Sequence, residues 1–210
     1  MKNILYISLC FLMFFVVVSC SKDDEAYPAL ITELVMSTSD AQGVFTTFTT
    51  DDGCTYQISN TVKGPSPNVR WRFVCGYVKD DETTARVYTF IRVPLLPDYT
   101  QMENRRRDAT NIASVWKGGG YINLHLLPLT QGAQQAWGFI RDSIKTNDAG
   151  GSDYFISLSH YQLNDMEAYT TDLFVSLDLD SVATTRYAID SIFFSVKTYD
   201  GIRSWSFGAD

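Results

Sequence analysis

The chain has 210 residues, 45% of them apolar and 20% charged, a globular composition that excludes a disordered coil, a collagen or an acidic tail. That length accommodates one large domain or two small ones, each with a core of its own. Lysine and arginine number 17 against 24 aspartates and glutamates, a formal charge of −7, so the mean field repels phosphate polymers and nucleic acid is not an expected partner.

The first predicted element is a leader. Lys2 supplies a positive start, and Ile4 to Val18 is an uncharged apolar run, shorter than the roughly 20 residues a spanning helix needs. The run ends in Val17-Val18-Ser19-Cys20, aliphatic and small residues directly before a cysteine, which resembles a bacterial lipobox. The resemblance implies cleavage before Cys20, lipid on its sulfur and a new acylated amino terminus, so residues 1–19 are expected as signal peptide and 20–28 as a lipidated tether. With about 0.8 kcal/mol per buried methylene, two or more acyl chains make membrane attachment effectively permanent. Ser21-Lys22-Asp23-Asp24-Glu25 reads as a solvated spacer. It also resembles the lysine-acidic-acidic signal that sends lipoproteins of some Gram-negative bacteria to the outer face of the outer membrane, so a surface location is expected ahead of a periplasmic one.

From Ala29 onward the chain is rich in Thr, Val, Ile, Phe, Tyr and Trp, interrupted at short intervals by Gly, Pro, Asn and Asp, which predicts an all-β fold. Gly43 to Thr50, then Asp51-Asp52-Gly53, then Cys54 to Ser59 reads as a hairpin with its tight turn at Asp-Gly. Val69 to Val78 alternates, with Val69, Trp71, Phe73, Cys75 and Tyr77 on the core face and Arg70 and Arg72 on the opposite one. Ala85 to Val93 continues the pattern and stops at Pro94, which has no N–H for a further ladder bond. Pro97 to Asp108 carries charge and no strand pattern, so it divides a first β domain (29–100) from a second (108–210). Within it Arg105-Arg106-Arg107 reads as a solvated face rather than an anion site.

In the second half Tyr121 to Leu127, Asp153 to His160, Asp172 to Leu179 and Ile189 to Thr198 each alternate, and Asp200-Gly201 closes a second hairpin with Ile202 to Phe207. Together these suggest a sandwich. Ala133, Trp137, Ile140 and Ile144 are spaced for a helical stripe, while Trp137 and Phe139 equally fit one side of a strand.

The lipobox, the Asp51-Asp52-Gly53-Cys54 turn, and the run Asn111-Ile112-Ala113-Ser114-Val115-Trp116-Lys117-Gly118-Gly119-Gly120-Tyr121-Ile122-Asn123-Leu124 resemble the NigD-like lipoprotein family. Leu158-Ser159-His160-Tyr161 and Asp172 to Leu179 extend the likeness over nearly the whole mature chain. The resemblance implies an N-terminal OB-like barrel, a C-terminal β-sandwich and a strand between Ala133 and Ile144. It also implies the protective role suggested by a founding member in a bacteriocin operon, with no catalytic residues to carry over.

Reactive constellations are sparse. His125 and His160 both fall inside alternating strands without a second ligand at zinc-site spacing, so hydrogen-bonded sheet histidines are expected and no metal or other cofactor. No Gly-x-Ser-x-Gly elbow or phosphate-binding glycine loop occurs, and Gly118-Gly119-Gly120 reads as a turn or bulge. Asp51, Asp52 and Asp200 belong to turns, where such side chains satisfy local backbone donors, and Asp172, Asp178, Asp180 and Asp190 punctuate strand ends. No enzyme is expected. After Cys10 leaves with the leader and Cys20 takes lipid, Cys54 and Cys75 remain, as a disulfide in an oxidising compartment or as two buried thiols in one core. The expected protein is a membrane-tethered binding module for a glycan or a protein, or alternatively a protective or structural envelope protein.

Overall fold

The computed structural model describes residues 29–103, 105–146, 151–183 and 188–208. The lipobox with Cys20 and the acidic spacer lie outside the described residues.

Five strands open the fold: β1 (Ile31–Thr38), β2 (Val44–Thr50), β3 (Thr55–Lys63), β4 (Arg70–Lys79) and β5 (Thr84–Val93). They close into a barrel in the order β1-β2-β3-β5-β4, with β3 and β5 parallel and the other pairs antiparallel. This is the expected OB-like unit. Alternation turns Phe73 and Tyr77 of β4 inward, and on β2 a register shift between Phe45 and Thr47 resets the phase so that both Phe45 and Phe48 join them and Tyr56 in the core. The rings meet edge-on or tilted, as between Phe45 and Phe73 at 5.1 Å and Phe48 and Tyr77 at 4.9 Å. The Tyr77 hydroxyl satisfies itself by donating to Glu33 Oε1 at 2.5 Å. At the β2–β3 turn Gly53 adopts φ 88° and donates its N–H to the Thr50 carbonyl, a backbone conformation that a Cβ would oppose.

The remainder forms two facing sheets. One holds β6 (Asn111–Gly118), β7 (Tyr121–Leu127) and β12 (Leu173–Asp178) in the order β12-β7-β6. The other holds β9 (Ala136–Thr146), β10 (Ser152–Tyr161), β13 (Ile189–Thr198) and β14 (Gly201–Gly208) in the order β14-β13-β10-β9. β8 (Leu129–Thr130) and β11 (Tyr169–Thr170) make a small separate ladder, and α1 (Leu179–Val182) is a single turn capped by Asp178. β10 and β13 are parallel; their connection crosses to the other sheet through β12 and α1, the kind of long return that parallel neighbours require. Ile122, Leu124, Phe139, Tyr154, Leu177 and Phe194 fill the space between the sheets. Ala133 to Ile144 is therefore mostly strand, since β9 buries Phe139 and Ile140 against β10.

The segment expected to divide the domains does not stand free. Within Pro97 to Asp108, Asp98 bridges Phe139 and Arg107 bridges His160, and just ahead of it Leu95 bridges Ser176, all in parallel, while Leu96 is buried in the sandwich core. The basic run is exposed, yet Arg107 Nε donates to Ser157 at 2.8 Å and pairs with Asp142, while Arg105 donates to the Thr100 carbonyl at 2.6 Å. Arg106 lies over the Tyr161 ring. The run thus ties the segment to the sandwich as well as facing water.

Candidate functional site

The two units meet where the β2–β3 turn of the barrel lands on the β6–β7 turn of the sandwich. A Cβ at Gly118 would sit 2.9 Å from Asp51 Oδ2, and one at Gly119 would fall still closer to the same carboxyl. Gly119 also holds φ 60°, so both the turn and the close approach require glycine there. The glycine run is the turn expected from sequence, and it is also the seat of Asp51.

Arg72 is the centre of this contact. The alternation placed it on a face of β4 opposite the core, but it is only 1% exposed; the sandwich covers that face of the strand. Its Nη2 donates to Asp51 Oδ2 at 2.6 Å and to Asn123 Oδ1 at 3.0 Å, and its Nε donates to Ser176 Oγ at 3.0 Å. Ser176 Oγ donates in turn to Asn123 Oδ1 at 2.7 Å, and Asn123 Nδ2 reaches Asp51 Oδ2 at 3.3 Å. The guanidinium lies over the Tyr121 ring at 4.2 Å, a second favourable setting for a desolvated cation. Asp51 was expected to serve its own turn; it serves Arg72 and Asn123 instead, while Asp52 takes the local role by accepting from Thr50 and from the Cys54 N–H. Those bonds, led by the Thr50 hydroxyl, hold the Asp52 carboxyl below its ordinary range.

Ser176 is fixed by the chain leaving the barrel. Its N–H donates to the Pro94 carbonyl at 3.0 Å and its carbonyl accepts from Leu96 at 2.8 Å. Arg72, Asn123, Ser176 and Tyr121 were not singled out as site residues from sequence. A cation in the middle of an aromatic strand is the one signal that was available.

Around this contact runs a polar groove. One part, about 350 Å³, is walled by Ser37, Thr47, Thr49 and Asp51 of the barrel together with Gly119 and Tyr121. An adjoining part, about 680 Å³, is walled by Arg70, Lys117, Gly120, Tyr121, Asp178 and Asp180. Both parts share Asp51, Arg70, Gly119 and Tyr121. Two of its three carboxylates are engaged in the fold, Asp51 with Arg72 and Asp178 with the Asp180 N–H at 3.0 Å as the cap of α1, while Asp180 itself is exposed.

The remaining sequence candidates lie elsewhere. His125 Nε2 is 2.5 Å from Asp172 Oδ1 and stacks on Phe174 at 4.3 Å. His160 stacks on Trp137 at 3.9 Å, with Nε2 2.9 Å from Gln135 Oε1, and burial pushes its pKa below the ordinary histidine value. Both are hydrogen-bonded sheet histidines. No group of three or more metal-ligating side chains occurs among the described residues. Cys54 and Cys75 do not share a core: both are free, Cys54 exposed and Cys75 buried. The physical reason is that Cys54 belongs to the β2–β3 turn, ahead of the first residue of β3, whereas Cys75 is at the middle of β4. Burial, with the Glu33 charge adding to it, pushes the Cys75 thiol up to about 12.

The model of the NigD-like C-terminal β-sandwich domain matches residues 93–207. The chain belongs to the NigD-like family. A NigD-like immunity protein from Bacteroides caccae, 21% identical, aligns over 88% of this chain and 99% of its own with a TM-score of 0.65. A protein named as toxin-related from Parabacteroides distasonis, 15% identical, gives 0.69 over 87% of this chain and 94% of its own. One named as a lipoprotein from Bacteroides fragilis, 12% identical, gives 0.59 over 86% and 97%. At these identities the likeness shows a shared two-unit fold. No curated protein matches the chain. The match begins at the end of β5, where the chain passes from barrel to sandwich.

Proposed function

We propose that this NigD-like protein is a lipid-anchored protein of the outer membrane surface that binds its ligand in the groove between barrel and sandwich and performs no chemistry on it. The observation that carries the reading is the groove's make-up. Serine and threonine hydroxyls line its barrel part and Lys117, Asp178 and Asp180 line the adjoining part, with Arg70 common to both, on a frame fixed by buried Arg72. Such a wall gives and accepts hydrogen bonds in many directions. A neutral glycan suits it best, because carboxylates in the wall and a net charge of −7 oppose polyanions.

The anchor rests on the lipobox, and a structural relative named as a lipoprotein supports it. Among the described residues no helix is long and apolar enough to cross a membrane. Changing Cys20 to Ala is expected to move the protein from the membrane fraction to the soluble one, and an unchanged fractionation would contradict the anchor. For the ligand, a glycan array with the unlipidated protein is run beside a pull-down from envelope extract. The expected result is glycan signal that Arg70→Ala or Asp180→Ala weakens about tenfold or more. A second reading, a protective protein that binds a toxin, is favoured by relatives named for immunity and for toxins. A protein captured in the pull-down with an empty array would establish it over the first.

A further inference from the structure

Apart from the junction groove, the barrel has an opening of its own where it closes. The parallel ladder between β3 and β5 covers only Gln57 with Thr84 and Ile58 with Ala85. One step further the Asn60 side chain replaces the missing backbone partner, donating to the Val87 carbonyl at 2.8 Å and accepting from the Val87 N–H at 2.9 Å. Beyond Asn60 the two strands have no ladder between them, and a cleft of about 270 Å³ lies between their ends. Its floor is aromatic: Phe73 and Phe90 stack at 3.8 Å, and Phe45 meets both edge-on at 5.1 and 5.2 Å. A Cβ at Gly64 would lie 2.7 Å from the Phe45 ring, so the loop after β3 can close over that ring only as glycine.

The charge of this cleft is the reverse of the chain's. Lys63 and Arg92 are exposed and line it, no aspartate or glutamate does, and the Arg92 guanidinium carbon lies over the Trp71 ring, 4.2 Å from its centroid. Stacking fixes a guanidinium in place while leaving its N–H edge available to a carboxylate. In a protein of net charge −7, an apolar slot with two cations and no acid in its walls selects one kind of occupant. The volume of about 270 Å³ falls just below the roughly 300 Å³ at which pockets for drug-sized ligands begin, so the occupant is small.

We propose that the β3–β5 seam of the barrel is a second binding site, independent of the junction groove, for a small amphiphilic carboxylate whose apolar body rests on Phe73 and Phe90 and whose carboxylate meets Lys63 and Arg92. A charge-assisted pair at the cleft mouth is expected to contribute about a tenfold gain in affinity or more.

The test uses the purified protein and two probes of equal size, 3-phenylpropionate and the uncharged 3-phenylpropanol, titrated by calorimetry and by perturbation of the Trp71 indole resonance. The expected result is that the carboxylate binds about tenfold tighter than the alcohol, and that Lys63→Gln and Arg92→Gln each remove about that factor while thermal melting shows the fold retained. Arg70→Ala, in the junction groove, is expected to leave this binding unchanged. Equal affinity for the two probes, indifference to both glutamine variants, or no binding of the carboxylate would overturn the proposal.

Discussion

Asp51 and Arg72 meet at 2.6 Å on the barrel side of the junction, and the Asp51 oxygen that accepts from Arg72 is also 3.3 Å from Asn123 Nδ2 of the sandwich. An ion pair taken out of water gains little by itself, because desolvation offsets most of the Coulomb attraction. A second protein unit supplies partners for Nη2 and Nε of the guanidinium, while its buried Nη1 has no hydrogen-bond partner. Asn123 and Ser176 supply the acceptors, and Tyr121 supplies a face for the guanidinium. Undocked, the barrel would present a charged arginine and aspartate to water; docked, it fixes one relative placement of the two turns that wall the groove.

The two glycines of the β6–β7 turn separate backbone strain from steric exclusion. Gly119 has φ 60° and faces the Asp51 carboxyl, whereas Gly120 has φ 81° and nothing within 4 Å of a Cβ. Gly120→Ala is expected to cost about 1–2 kcal/mol, the left-handed penalty alone. Gly119→Ala is expected to cost clearly more, because Asp51 must move away from Arg72. Urea denaturation of both variants checks this; equal losses would mean that the close approach does not matter.

His160 sets a pH dependence. Its folded pKa lies below the ordinary value of 6.5 because burial opposes the charged ring. As pH falls through about 6.5 the unfolded chain takes up a proton that the folded one refuses, so stability drops on acidification toward the folded pKa. His160→Gln removes this contribution. The melting-temperature advantage of the wild type over the variant is therefore expected to shrink between pH 7.5 and 5.5, and a widening gap would show the sign to be wrong.

The two thiols should differ in reactivity by orders of magnitude. Cys54 is exposed, while Cys75 is 0% exposed with its thiol pushed up to about 12, and only a thiolate within reach of solvent alkylates readily. Iodoacetamide on the native protein, read by peptide mass spectrometry, is expected to label Cys54 and leave Cys75 unmodified until denaturant is added. Equal labelling in the native state would contradict the placement of Cys75.

The fold was legible wherever a physical rule is local. Alternation gave β4, β7, β10 and β13, and the two Asp-Gly pairs gave the hairpins β2–β3 and β13–β14, because pleat and turn chemistry act over a few residues. The junction was not legible. Arg72 reads as a solvent-facing position by alternation, and only a partner surface some fifty to a hundred residues later in the chain turns that face into an interior. Asp51 reads as a turn residue for the same reason. The Gly118-Gly119-Gly120 turn could be read, but not what it accommodates, since Asp51 is distant in sequence. Cys54 reads as inward on its phase with Tyr56; the turn places it beyond the end of the strand, where that phase no longer implies burial.

Arg72 is the residue that joins the two units into one, and a double-mutant cycle between Arg72→Met and Asn123→Ala measures that directly. Equilibrium unfolding of the wild type, both single variants and the double variant is expected to give a coupling of about 1–3 kcal/mol across the junction, within the range for residues of one hydrogen-bond network. Additivity to within about 0.5 kcal/mol would contradict it, and the junction groove would then have no fixed frame on which to bind a ligand.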